Sequence, residues 1–291
     1  TRESYEGVAK KHIYPDIGHL KLQKLLPEHV QAMANAIIAK GLSPRSSEYA
    51  CLGLSRALNQ AKRWGYVAQN VVDLVELPRP KRKNIAPIDE RQARAFLDAV
   101  KGHRLEAAFW VALMLGLRRG EVLGLLKTSI DFEAKTVTID GSLQRIGSKL
   151  VRSDTKTESS QRRLPLPEPL IKVLRDHLHR LEQERQDAGD NWVDTEYLVP
   201  SERGTPLEPR NLLRYFKEAL VTAKLPEMRF HDLRHWCASL LIAYGVHPKT
   251  IQEILGHANI TTTLNVYGHL LPNVLRDATE KMAGIAGHNQ E

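Results

Sequence analysis

Apolar positions in the first part of the chain repeat at the three- and four-residue spacing of helices buried on one side. The stretch LLPEHVQAMANAIIAKG, residues 25–41, places Pro27 at the first helical position and Gly41 just past the end. Its apolar stripe consists of Val30, Met33, Ala34, Ile37 and Ile38. Residues 43–65 repeat the order of a cap, a proline and a closing glycine. We therefore predict two antiparallel helices within a helical domain over residues 1–76.

The helical pattern stops at LPRPKRKNIAPI, residues 77–88, where three prolines prevent regular structure. Four cationic side chains of this stretch cannot pack in a core: Arg79, Lys81, Arg82 and Lys83. We interpret 77–88 as an extended basic linker between two domains. Two uses of its charge stay open from the sequence, contact with a DNA backbone and simple solvation.

From Asp89 onward the pattern predicts a second, larger domain over residues 89–272. Helical spacing covers 89–102, 104–116, 168–187, 209–224, 231–244 and 247–255. Alternation in the short stretches TVTID, LVRSD and RRLPL predicts strands, and Gly147 supports a turn between the first two. The fold class that follows is mainly α with one small antiparallel β-sheet, arranged as a helical domain followed by a mixed α/β domain.

Composition and charge add a candidate partner to this picture. The chain of 291 residues is 42% hydrophobic and 26% charged, as in soluble globular proteins, and has no apolar run of membrane-spanning length. Its net charge is +8, but residues 1–83 hold 14 Lys and Arg against 7 Asp and Glu, whereas residues 84–291 hold 28 against 27. The first segment has the cationic excess of a phosphate-binding module, although a solvated basic surface gives the same count. Cys51 and Cys237 lack metal-ligand spacing, and we expect no disulfide.

Two arginines occur in settings that suit an anion. In MLGLRRGEVLGLL, Arg118 follows an apolar helix and Glu121 comes three residues later. A guanidinium on a packed turn can give a phosphate two parallel hydrogen bonds, but arginines at helix ends commonly only offset the dipole. In FHDLRHW, His231 and Arg234 share one face at a predicted helix start. His231 and His235 are also spaced for zinc, but no acid follows as in HExxH and no third ligand is evident.

A lysine and a tyrosine are further candidates. Lys156 lies in TKTESSQRRLPL, on a predicted hairpin turn between two strands. There it could contact a base edge, give a proton to a leaving oxygen, or be an ordinary exposed lysine. The stretch LGHANITTTLNVYGH places Tyr267 shortly after His257. An isolated tyrosine is usually a half-buried amphipathic side chain and rarely a nucleophile, so its role depends on the other motifs.

Taken together, these motifs resemble a known family. GLRRGEVLGL, TKTESSQRRLPL, HDLRH and LGHANITTTLNVYGH, in this order, are similar to the motifs of the tyrosine recombinases of the phage integrase family, over residues 84–272. The first segment, with YPDIGHLKLQKL and the helix after Ser43, is similar to the family's core-binding domain. The resemblance implies a helical DNA-binding domain over 1–76 and a catalytic domain of the tyrosine recombinase type over 89–272.

The resemblance also implies how a scissile phosphate would be bound. Arg118 and Arg234 would contact its non-bridging oxygens. His231 and His257 would add hydrogen bonds and share proton handling. Glu121 would support the local structure and take no part in the chemistry.

For the chemical step, the resemblance implies that Tyr267 is the nucleophile and Lys156 the general acid for the 5′-oxygen leaving group. The 3′-phosphotyrosyl intermediate would conserve the bond energy, so that rejoining needs no cofactor and no metal. The substrate would be a double-stranded DNA recombination site, cut and rejoined for integration or excision of a mobile element. Partners would include a homotetramer on paired sites and accessory DNA-bending or directionality factors.

The tail after the catalytic domain, residues 273–291, has its own helical pattern. Its apolar positions are Val274, Leu275, Ala278 and Met282. We expect a short helix that docks either on a neighbouring subunit or back on its own domain. Because the chain opens on Thr1 rather than Met, we expect a processed or shortened chain, and an arm-binding domain of the family before Thr1 stays open. The expected location is the cytoplasm of a prokaryote, on chromosomal DNA and away from membranes.

Two other functions share these features. A type IB topoisomerase uses a similar residue set, but the short chain and the TTTLNVYGH spacing argue against it. A non-catalytic DNA-binding regulator on the same fold is disfavoured because every catalytic residue type is present. A covalent protein–DNA adduct would exclude the regulator, and a need to bring two DNA sites together would exclude the topoisomerase.

Overall fold

A computed structural model describes residues 2–77, 89–154 and 161–261. The chain divides into two compact units, residues 1–84 and 85–291. The basic linker residues predicted to contact DNA lie outside the described residues, as do most of the other linker residues. The DNA-binding role of the first unit stays a prediction.

The first unit is helical, as predicted. In chain order it contains α1 (Arg2–Val8), a π-helical turn (Ala9–Ile13), α2 (Tyr14–Ile17), α3 (Pro27–Ala39), α4 (Pro44–Arg63) and a 3-10 turn (Val71–Leu74). The buried members of the predicted α3 stripe are Val30, Met33, Ala34 and Ile37. They form one cluster with Ala50, Cys51 and Leu58 of α4. The side chain of Ser43 caps α4, since its oxygen accepts a hydrogen bond from the Ser46 backbone N–H at 3.3 Å.

The second unit is built around one apolar helix. Its described helices are α5 (Glu90–Ala99), α6 (Glu106–Met114), α7 (Arg119–Gly124), α8 (Glu168–Ala188), α9 (Pro209–Thr222), α10 (Asp232–Ala243) and α11 (Pro248–Leu255). Phe109 of α6 packs edge-on against Phe96 of α5, with ring centroids 5.8 Å apart, and lies 6.2 Å from Phe216 of α9. Trp236 of α10 joins this cluster through Phe96 at 6.2 Å. The centre of the unit is therefore packed with aromatic rings, and α7 starts shortly after α6 ends.

The strands form two small antiparallel sheets, where the sequence predicted one. The three-stranded sheet has the order β1 (Ile130–Asp131), β2 (Thr136–Ile139), β5 (Arg162–Pro165), and the other is a hairpin of β3 (Gly141–Ile146) and β4 (Lys149–Asp154). The chain changes sheet at Asp140, and Gly147, with φ +57°, forms the turn between β3 and β4. Sequence analysis missed β3 because the second half of GSLQRI is exposed and shows no alternation.

The same topology corrects the expectation for Lys156. The strands before and after it belong to different sheets, because β4 pairs with β3 and β5 pairs with β2. The prediction that these two strands form a hairpin is therefore wrong. Lys156 itself lies outside the described residues.

Two general expectations can also be compared with the structure. Cys51 and Cys237 are buried free thiols. Within the ranges that the structure describes, no helix combines the length and apolarity needed to cross a membrane.

Candidate active site

Arg118 is held in the turn that precedes α7. Its backbone N–H donates to Glu121 Oε2 at 3.0 Å, and its Nη1 donates to Glu121 Oε1 at 2.6 Å. Its Nη2 donates to the backbone oxygen of Gly256 at 3.0 Å. The side chain is still 39% exposed. The guanidinium is thus fixed in orientation and accessible to an anion.

Glu121 is a buried carboxylate between two arginines. Besides its bonds to Arg118, its Oε2 accepts a hydrogen bond from Arg162 Nη2 at 2.9 Å. Burial alone would raise the pKa of Glu121, but the charges and hydrogen bonds of Arg162 and Arg118 outweigh burial and lower it. The carboxylate is therefore ionised at neutral pH, and its supporting role stays a prediction.

Arg162 was not among the site residues predicted from the sequence. A signal was present, because the buried Leu164 and Leu166 follow it at alternate positions. Side chains two apart in a strand share a face, so this alternation places Arg162 on the core side of β5.

Arg234 is a buried cation, and one of its donors has no partner within the described ranges. Residue Arg234 is 3% exposed, and its Nη1 donates to the backbone oxygen of Gly116 at 2.7 Å. Its Nη2 is buried and has no hydrogen-bond partner among the described residues. Burial, together with the nearby charge of Arg118, lowers the pKa of Arg234 to about 9, so it stays charged at neutral pH. A buried charged donor without a partner is unfavourable, and an anionic ligand would relieve it.

Gly116 makes this arrangement possible. Its φ is +61°, a conformation that L side chains rarely adopt. A Cβ at this position would lie 2.3 Å from Leu255 Cδ2 of α11. Glycine therefore allows α11 to pack against the turn whose carbonyl holds Arg234.

His231 and His257 are the two imidazoles of the site. His231 lies at the N-cap of α10, and His257 follows Gly256, which ends α11 in the left-handed conformation. Burial is the largest cause that lowers the pKa of each histidine to about 4, and the positive charges of Arg234 and Arg118 act in the same direction. Both imidazoles are therefore neutral at pH 7, so each can donate one hydrogen bond and accept one proton.

The two histidines considered as zinc ligands in the sequence, His231 and His235, lie in contact with each other. The rings of His231 and His235 are 5.2 Å apart, centroid to centroid, at right angles. In the part of the chain that the structure describes, His, Cys, Asp and Glu form no group of three or more that could hold a metal ion.

The structure brings together five of the predicted site residues from three separate parts of the sequence: Arg118, Glu121, His231, Arg234 and His257. Lys156 and Tyr267 lie outside the described residues. Two fixed guanidiniums and two neutral imidazoles suit a phosphodiester, because they can neutralise the charge that grows on its oxygens in a transition state.

The histidine environment predicts that the DNA-free protein becomes less stable as the pH falls from about 6.5 to about 4. In this window an unfolded chain protonates its histidines near 6.5, whereas folded His231 and His257 protonate only near 4. The unfolded state then binds more protons, so acid favours unfolding. Thermal unfolding measured between pH 7 and pH 4.5 would show this as a falling Tm.

A double variant, His231→Gln with His257→Gln, provides the control because glutamine does not titrate. Its Tm should depend less on pH than that of the wild type. Part of the slope should remain, because burial also lowers the pKa of His177 to about 4. An identical slope in both proteins would show that folding does not lower the pKa values of the two site histidines.

Comparison with known proteins assigns a family to this geometry. The profile of the Phage integrase family matches residues 87–273, and that of the N-terminal SAM-like domain of phage integrases matches residues 1–38. A tyrosine recombinase XerC-like protein of Caldanaerobacter subterraneus subsp. tengcongensis is 32% identical over 301 residues, covering 97% of this chain and 77% of that protein. An integrase of Streptomyces ambofaciens is 33% identical over 299 residues, covering 98% and 75%.

Solved structures show the same fold at lower sequence identity. The Tn1549 transposon integrase in complex with a circular intermediate DNA has a TM-score of 0.81 at 23% identity, covering 97% of this chain and 92% of that one. A lambda integrase dimer bound to a COC′ core site has a TM-score of 0.62 at 19% identity, covering 91% and 87%. The profile match over most of the chain and the identity with the XerC-like relative show that this chain belongs to the phage integrase family, the tyrosine recombinases that break and rejoin DNA strands at specific sites.

Proposed function

We propose that Arg118, Arg234, His231 and His257 bind the scissile phosphate of a recombination site, and that Tyr267 attacks it. The observation that carries this proposal is the buried Nη2 of Arg234, which has no hydrogen-bond partner among the described residues, beside the accessible guanidinium of Arg118. These two guanidiniums could donate hydrogen bonds to a phosphodiester with little rearrangement of the side chains. The recombination of these sites would integrate or excise a mobile element in the cytoplasm of its prokaryotic host.

The proposed step is a transesterification at phosphorus. The Tyr267 oxygen forms a bond to phosphorus as the bond to the 5′-oxygen breaks, leaving a 3′-phosphotyrosyl link and a free 5′-hydroxyl. One of the neutral imidazoles takes the phenol proton, and Lys156 gives a proton to the leaving oxygen. The two arginines stabilise the phosphorane-like charge on the non-bridging oxygens. Rejoining reverses these transfers, so no external energy source is required.

The test begins with identification of the substrate. DNA that becomes covalently attached to the protein in cells is sequenced, and the recovered site is rebuilt with a nick next to the scissile phosphate. Wild-type protein should form a covalent complex on this DNA in the presence of EDTA, with a tyrosine joined to a 3′-phosphate. A 5′ linkage or a strict need for magnesium would overturn the proposed mechanism.

The basic linker is proposed to contact the DNA backbone, which predicts a change in salt dependence. Replacing Lys81, Arg82 and Lys83 by glutamine should flatten the slope of log affinity against log salt by about 0.9 for each phosphate that the variant no longer neutralises. The matched control replaces three exposed cations of α8, where acidic residues are interspersed: Lys172, Arg175 and Arg185. Binding titrations at several salt concentrations measure both slopes. If the linker variant keeps the wild-type slope, the linker does not touch the backbone.

The tail is proposed to hold subunits together in a tetramer on paired sites. Its apolar positions have the spacing of an amphipathic helix, and the apolar face of such a helix needs a surface to cover it. A chain that lacks residues 273–291 should bind one site with wild-type affinity and pair two sites poorly, as measured by gel shift and by analytical ultracentrifugation of the DNA complexes. Normal pairing by the shortened chain would show that the tail packs on its own subunit.

A further inference from the structure

Arg162 joins three elements of the second unit through one side chain. It is the first residue of β5, and its side chain is only 7% exposed. Its Nη2 donates to Glu121 Oε2 of α7 at 2.9 Å, and its Nε donates to the backbone oxygen of Ile254 in α11 at 2.8 Å. A lysine could not make both bonds with the same geometry, because it lacks the planar fork.

On the α7 side, Arg162 acts on the carboxylate that holds Arg118. The two oxygens of Glu121 receive the backbone N–H and the Nη1 of Arg118 as well as the Nη2 of Arg162. Glu121 is therefore shared between one arginine that is buried and one that is accessible. Its orientation, and through it the orientation of Arg118, depends on both.

On the α11 side, Arg162 holds the helix end that leads to His257. Ile254 lies in the last turn of α11, and Gly256 directly precedes His257. A Cβ at Gly256 would lie 3.0 Å from Arg162 Nη1, so the guanidinium packs directly against this glycine. The Gly256 backbone oxygen in turn accepts the hydrogen bond from Arg118 Nη2 at 3.0 Å. Arg162, Glu121, Arg118 and the end of α11 thus form a closed loop of contacts.

We infer that Arg162 is a positioning residue that holds Arg118 and His257 in register with each other, by binding Glu121 with one nitrogen and the end of α11 with another. It touches neither the phosphate nor the nucleophile in this scheme. The inference rests on the proposed function, because Arg118 and His257 need a fixed spacing only if both bind one phosphate. Displacement of such groups by about 1 Å can reduce a rate by about 10²-fold.

The test compares neighbouring arginines of the same strand. Arg163 is exposed and donates to Thr136 Oγ1 at 2.7 Å and to Asp131 Oδ2 at 3.1 Å, away from Glu121. Arg162→Gln and Arg163→Gln remove the same charge. Single-turnover cleavage of nicked site DNA at saturating protein should be slower by about 10²-fold for Arg162→Gln. It should be close to wild type for Arg163→Gln, and Kd for DNA should change little in both.

A conservative variant keeps the test decisive if Arg162→Gln unfolds. Arg162→Lys retains the charge beside Glu121 but cannot hold the carboxylate and Ile254 together, so its cleavage rate should lie between those of wild type and Arg162→Gln. A residue needed only for folding would lower the Tm and the fraction of active protein, while the rate constant of the active fraction stayed unchanged.

The pH dependence of the cleavage rate tests independently whether Arg162 acts on Arg118 through Glu121. The charged groups that face Glu121 are Arg118, Arg162 and Arg234. Without the Arg162 charge, burial should raise the pKa of Glu121, so that acid protonates it and releases Arg118. The cleavage rate of Arg162→Gln should therefore fall at a higher pH than that of the wild type. The double variant Arg162→Gln with Glu121→Gln should lack this additional acid dependence, because it has no carboxyl to titrate.

The outcomes separate the inference from the proposed function. Absence of any covalent adduct with wild-type protein would defeat the proposed function itself. A normal wild-type adduct, with Arg162→Gln and Arg162→Lys both cleaving at the wild-type rate constant, would defeat only the positioning role. Slow cleavage with an unshifted pH profile would also overturn it, because the route through Glu121 would be absent.

Discussion

Arg234→Ala and Arg118→Ala are each expected to slow strand cleavage by about 10³-fold or more while much of the site binding survives. Affinity for DNA is spread over many phosphate contacts, whereas the charge of the transition state is concentrated on a few oxygens. Arg234 should show the larger loss, because its buried Nη2 has no hydrogen-bond partner among the described residues and would gain one in a bound phosphate. Single-turnover cleavage and DNA binding, measured on the same nicked site, separate the two effects.

Arg119→Ala is the matched control for this prediction. Arg119 is the next residue in the chain and is exposed, so its removal changes the net charge equally. It should cleave at close to the wild-type rate. A rate near wild type in Arg118→Ala or Arg234→Ala would remove that arginine from the active site.

Tyr267→Phe is expected to form no covalent adduct and to bind the site with near wild-type affinity. The change removes one oxygen and little else. A phenol has a pKa near 10, so it attacks at neutral pH only with help from proton transfer or nearby cations, which the proposed site supplies. The expected readout is complete loss of the protease-sensitive protein–DNA complex on nicked DNA, beside an unchanged gel shift.

Tyr244→Phe controls for the loss of a phenol elsewhere in the same unit. Tyr244 is 65% exposed and follows the last residue of α10. Its variant should form the adduct as the wild type does. A covalent complex from Tyr267→Phe would show that another residue is the nucleophile.

The elements of this fold were predictable where one face of the chain is uniformly apolar. The α3 stripe and the cap at Ser43 were found because burial and capping act locally. Strand β3 was missed because its exposed end lacks alternation, and its pairing with β4 is decided by tertiary contacts. Local patterns also could not show that the strands around Lys156 belong to different sheets.

The residues of the candidate site were likewise predictable only in part. Motif resemblance identified Arg118, Arg234 and both histidines, although spacing alone left each of them with an ordinary structural alternative. Arg162 escaped because its importance lies in contacts with Glu121 and Ile254, which are 41 and 92 positions away in sequence. The alternation with Leu164 and Leu166 shows that Arg162 faces the core, but its partners are properties of the packed structure and have no local signal in the sequence.

The buried Nη2 of Arg234, which has no hydrogen-bond partner in the part of the chain that the structure describes, has an evolutionary consequence. A buried charge with an unpaired donor destabilises the ligand-free fold. An apolar residue of similar volume would usually make that fold more stable. Selection for durability alone would therefore erase this arginine, while selection for chemistry preserves it. If Arg234 has the proposed role, lineages of such enzymes that lose their DNA targets should lose this arginine early and become more stable proteins without cleavage activity.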